Sequence, residues 1–169
     1  MLRVLGFAVV GVVVFATGAQ SVVAQDVLSQ LSGSWSYRSF FHDPIKVEGG
    51  EVPASTELAT PWAPKGKLDL KCDKDGKVLG VLDFGPAKLD IVGNAKVDEV
   101  GRAKITAEAT MKDPGGSGKV VSTFRISGYL IDAKSPVIVG TVVLASGVDL
   151  GAHPQPVGTA GPFVASIDK

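Results

Sequence analysis

The stretch from Gly66 to Gly85, Gly-Lys-Leu-Asp-Leu-Lys-Cys-Asp-Lys-Asp-Gly-Lys-Val-Leu-Gly-Val-Leu-Asp-Phe-Gly, constrains this chain more than any other. Leu68, Leu70 and Cys72 alternate with Lys67, Asp69, Lys71 and Asp73. That period of two puts the apolar side chains on one face of a strand. Asp75-Gly76 offers the positive φ that a tight reversal demands, and Val78, Gly80, Leu82 and Phe84 line the returning strand. A hairpin with one apolar face is not stable alone and has to bury that face against further strands.

The rest of the chain supplies them. Ser34 to His42 places Trp35, Tyr37, Ser39 and Phe41 on one face. Ala87 to Val97 turns Leu89, Ile91, Gly93, Ala95 and Val97 inward, and Arg102 to Lys112 does the same with Ala103, Ile105, Ala107, Ala109 and Met111. Val120 to Asp132 presents Phe124, Ile126 and Leu130, Val137 to Ala145 is apolar on both faces, and Phe163 to Asp168 closes the chain. With the two strands of the hairpin these segments predict an all-β fold. Eight strands joined mostly by turns remove their unpaired edges by closing into an eight-stranded antiparallel up-and-down β-barrel. Asp26 to Gln30 predicts no more than a brief helical turn or a disordered lead-in.

The first residues belong to another category. Arg3, the apolar run Val4 to Ala16 and the small residues Val22-Val23-Ala24 have the form of a signal peptide cleaved after residue 24. The rival is an uncleaved anchor, since Leu2 to Ala19 is almost long enough to span a bilayer. The polar segment Thr17 to Ser21, with no Lys or Arg after it, favours cleavage. Of 169 residues a 24-residue leader leaves residues 25–169, a single domain, secreted or periplasmic, with no stable membrane insertion. The whole chain has 17 basic and 17 acidic residues, so charge gives no reason to expect nucleic acid as a partner. Cys72 is the one cysteine and cannot form an intrachain disulfide.

Loop parity gives the most about function. In an up-and-down barrel the connections after strands 2, 4 and 6 share one end, and here all three are short. The connections after strands 1, 3, 5 and 7 share the other and include Asp43–Gly66, Asp113–Gly118 and Ser146–Pro162. Ligand sites in such barrels favour the elaborated mouth. The expected ligand is small and apolar or aromatic, contacted by Trp35, Tyr37, Phe41, Phe84 and Phe124, with His42, Trp62 and His153 at the rim. Trp62 is either a lid over the mouth or a cap on the outer wall. An interior filled by alternating large and small side chains is equally compatible with eight strands.

Catalytic and metal chemistry finds little support. His42 and His153, with Asp43, lack a third ligand at recognisable spacing, so no metal is assigned. Asp73-Lys74-Asp75-Gly76 resembles the start of a calcium loop, but alignment puts Lys71 and Leu82 where acids are required. No catalytic residue and no cofactor is assigned. On the outer wall Val121, Tyr129, Ile131, Ile138, Val142, Leu144 and Val164 are expected to form one apolar patch, fit for a homo-oligomer contact.

Gly33-Ser34-Trp35, opening the first strand, resembles the Gly-x-Trp signature of the calycins, which include lipocalins and avidin-like barrels. The resemblance implies an eight-stranded barrel binding small apolar or amphipathic ligands, with the tryptophan packed at the closed end. Lys169 is the only candidate for the basic residue that lipocalins place near the last strand, and the biotin contacts of avidin have no counterpart. Two further readings stand beside it: a filled barrel acting through protein contacts, and an isomerase or cyclase similar to allene oxide cyclase or dirigent barrels.

Overall fold

Alternation becomes a barrel because every strand finds its sequence neighbour. In the structure, a computed structural model that describes residues 18–41, 60–131, 135–148 and 155–167, a helix α1 (Gly18–Ser29) precedes nine strands. These are β1 (Gly33–Phe41), β2 (Thr60–Pro61), β3 (Gly66–Cys72), β4 (Lys77–Asp83) and β5 (Lys88–Val97), followed by β6 (Ala103–Lys112), β7 (Val120–Ile131), β8 (Val137–Gly147) and β9 (Ala160–Ser166). All pairings are antiparallel. From β3 to β9 each strand pairs with the next, β1 pairs with β3, and β1 also pairs with β9 through Ser36↔Ser166 to Ser39↔Phe163. The molecule is therefore an eight-stranded closed up-and-down barrel, as the alternation predicts. The two-residue β2, against Phe40 and Phe41, is an addition that the sequence did not announce.

Two of the short turns share one construction. Asp73 and Asp98 each accept, through Oδ1, the N–H groups two and four residues on: Asp75 and Lys77 in one turn, Val100 and Arg102 in the other. Gly76 and Gly101, each with its N–H bonded back to the aspartate carbonyl, take φ of 81° and 82°. Donation from Arg102 N–H, the largest effect, holds the Asp98 carboxyl below the usual carboxylate range. The turn signal thus lies as much in the first aspartate as in Gly76.

The end of the barrel that carries these turns is filled. Leu28, at the end of α1, and Leu31, just beyond it, are buried against the core, and α1 lies against β5. Trp35 is 1 % exposed and donates from Nε1 to the Leu31 carbonyl at 3.3 Å. The helix exceeds the brief turn expected at Asp26–Gln30. It has neither acidic residues in its first turn nor basic ones in its last, and burial of Val27 and Leu28 supplies what its ends lack. Cleavage after Ala24 would leave those two residues in place.

The outer patch needs correction. Ile138, Val142 and Leu144, expected outside, are buried within the barrel. A strand apolar on both faces carries no signal for its phase, and its neighbours set it. Ile138 stands opposite Leu130, Val142 opposite Ile126 and Leu144 opposite Phe124, and residues directly opposite share a face. The outer wall of β7–β9 instead carries Tyr129, Ile131, Val137, Val139, Val143 and Val164, and Val121 packs against the core in part. The wall over β3–β6 mixes charged pairs, such as Lys112–Asp90 at 2.7 Å, with the exposed Leu79, Val81 and Val92.

Candidate functional site

Tracing the inward faces toward the opposite end leads to a cavity. On β1 the inward series runs Trp35, Tyr37, Ser39, so the last of these stands roughly 13 Å along the strand from the plug. There the side chains cease to fill the interior. A cavity of about 160 Å³ opens, lined by Tyr37, Ser39, Trp62, Phe84, Leu89, Met111 and Phe124 among others. The remaining lining residues are Ala63, Pro64, Leu82, Pro86, Ala87, Ala109, Ile126 and Val142, so that among the described residues no charged side chain lines it. A second void of about 20 Å³ lies deeper, among Leu70, Val78, Ile105 and Ile138. It holds at most about one water.

Position follows from topology. The Phe84–Ala87 turn, the end of β6 at Met111 and the start of β7 all belong to the end that gathers the connections after β1, β4, β6 and β8. Trp62 is held by donation of its backbone N–H to the Ser39 carbonyl at 2.9 Å. It is only 3 % exposed, and its ring meets Phe124 edge-on with centroids 6.3 Å apart. Of the two readings of Trp62, the structure shows the side chain turned into the mouth. Below it Tyr37 stacks on Phe163 at 5.5 Å and meets Phe84 edge-on at 6.0 Å.

Polarity inside is confined to a few atoms. The Tyr37 side chain hydrogen-bonds to that of Ser39, two positions along the same inward face. Burial pushes the Tyr37 hydroxyl far above its ordinary pKa, and the Ser39 bond offsets only part of that. The phenol is therefore neutral at any ordinary pH. The consequence is measurable: the folded state keeps a proton that the unfolded chain releases above about pH 10, so stability must fall as pH rises beyond that value. One such proton corresponds to at most about 1.4 kcal/mol per pH unit. Urea unfolding between pH 9 and 11 should show this slope in the wild type and a shallower one in Tyr37→Phe. Equal slopes would show that Tyr37 ionises freely in the fold.

Of the expected contact residues, the structure brings Tyr37, Phe84, Phe124 and Trp62 together around one cavity. Trp35 is not among its lining residues and plugs the other end instead. Phe41 ends β1, while His42 and His153 lie outside the described residues. Leu89, Met111 and Ser39 were missed. Leu89 and Met111 are each the inward residue nearest the mouth on their strands, and Ser39 follows Tyr37 on the inward face of β1, which is the available signal. Among the described residues no group of three or more His, Cys, Asp or Glu could hold a metal ion, and no helix is long and apolar enough to cross a membrane. No family model, curated protein or solved structure matches the chain.

Proposed function

We propose that this barrel is an exported binding module for a small apolar or aromatic molecule, taken up at the end where the long connections gather. The supporting observation is the cavity of about 160 Å³, lined by aromatic and aliphatic side chains beside the hydroxyls of Tyr37 and Ser39. A cavity of about 150 Å³ with apolar walls accepts benzene, so one ring is the natural size of guest. Export rests on Arg3, the apolar run behind it and the small residues before Gln25. The calycin-like reading draws support from the closed barrel together with Gly33-Ser34-Trp35, whose tryptophan is buried at the filled end.

The test uses toluene as probe and titration calorimetry as readout. Wild-type protein should bind it saturably. Ala109 lines the cavity from β6, and Ala109→Phe puts a ring where the guest's ring would sit. That variant should keep its unfolding midpoint and lose more than about tenfold in affinity, some 1.4 kcal/mol. No binding by the wild type, or equal binding by a folded variant, ends the proposal.

A further inference from the structure

The polar atoms of the cavity say more about the guest than its volume does. Tyr37 is 2 % exposed and Ser39 is 4 % exposed, so neither hydroxyl draws on bulk water. Two hydroxyls carry two hydrogens and four lone pairs, and the bond between them takes one of each. One hydrogen and three lone pairs are left. Both side chains line the cavity, and among the described residues none of the lining side chains is charged. A guest that is wholly hydrocarbon offers these spare groups nothing. A guest with a carboxylate or ammonium group would bury a charge against described lining residues that offer no counter-charge, at far greater cost.

We infer that the cavity selects a neutral ring-sized molecule bearing one oxygen, a hydroxyl or a carbonyl, that hydrogen-bonds to the Tyr37–Ser39 pair. This inference rests on the pocket reading above and sharpens it. Position fixes the guest's orientation. The oxygen faces β1, where the pair stands, and the apolar part of the guest lies toward Met111 and Phe124 on β6 and β7. Trp62, bonded to the Ser39 carbonyl through its own backbone, ties the covering segment to the strand that carries the polar pair.

Phenol and toluene differ by hydroxyl against methyl at nearly equal size, so the pair isolates the contact. Calorimetric titrations of both, and of benzoate, are made on wild type, Tyr37→Phe and Ser39→Ala. Because a single hydrogen bond contributes about a kcal/mol net, at least one variant should weaken phenol by about fivefold and leave toluene within about twofold. Benzoate should bind no form measurably. If phenol and toluene both bind and both variants move them equally, the oxygen contact is refuted while the pocket stands. If neither probe binds the wild type, the pocket reading fails and this inference with it. Ser39→Ala guards against a Tyr37→Phe chain that does not fold, since it removes a single oxygen from the edge of the core.

Discussion

Ile138→Lys should abolish the folded barrel, whereas Val139→Lys, one residue along, should leave it intact. Ile138 is 1 % exposed and stands between Leu130 and Ala165, both buried. Removing its side chain forfeits about 1.5–3 kcal/mol of apolar burial. Placing an ammonium there adds several kcal/mol more, whether the charge is buried or the proton is given up. Together these approach the whole stability of an ordinary domain, about 5–15 kcal/mol. Val139 lies on the other face, opposite Tyr129 and Val164, where a lysine keeps its stem on the wall and its charge in water. Far-ultraviolet circular dichroism and urea unfolding compare the two. A well-folded Ile138→Lys with an unchanged midpoint would mean that β8 faces the other way. A homo-oligomer contact on this wall, which we retain as a proposal, is accordingly probed by Val139→Lys in light scattering.

That pair of residues marks where the sequence stops being readable. Along β3 and β6, polar and apolar residues alternate strictly, as in Lys104, Ile105, Thr106, Ala107, Glu108, Ala109, so strand, phase and inward face are all legible. Along Val137 to Leu144 both faces are apolar, and a one-residue error in phase turns every side chain through the wall. The information that resolves it is non-local. It resides in the register with β7, where Phe124, Ile126 and Leu130 already point inward. The helix was hidden for a related reason: α1 has weak local signals and is held by Leu28 and Leu31 meeting the core, which no short window of sequence contains.

The candidate site was legible to the extent that parity was. Counting connections placed the mouth, and the alternation of β1, β4 and β7 nominated Tyr37, Phe84 and Phe124. Alternation says nothing of height along the strand, which separates Trp35 from Tyr37. Two residues on the same face of β1 can serve different ends of one interior, one as plug and one as pocket wall. Ser39 carries little signal as a contact, because a small hydroxyl in an apolar series reads as filler until its partner is known. Its partner lies two residues back on its own strand, and only the burial of both gives the pair a role.

Gly140→Val should destabilise the barrel by about 3 kcal/mol or more, against roughly 1 kcal/mol for Gly101→Ala. Gly101 needs its positive φ of 82°, but a Cβ added there meets nothing within 4 Å. Gly140 is the opposite case. A Cβ there runs into the Ser127 carbonyl oxygen, comes within 2.6 Å of the Gly128 Cα and within 2.7 Å of the Phe163 ring. Gly140 pairs with both Gly128 and Phe163, so two adjacent positions without side chains make the floor on which the Phe163 ring lies. Tyr37 stacks on that ring at 5.5 Å, so it has no room to retreat without moving the wall of the cavity. Two of the three obstructions are backbone, and backbone of a paired strand cannot swing aside. The double variant Gly140→Ala with Phe163→Ala separates the causes in urea unfolding. If backbone crowding dominates, deleting the ring deepens the loss. Full recovery of the midpoint would show that the ring alone was the obstacle, and the close approach of β7 and β8 would then place no limit on the residue at 140.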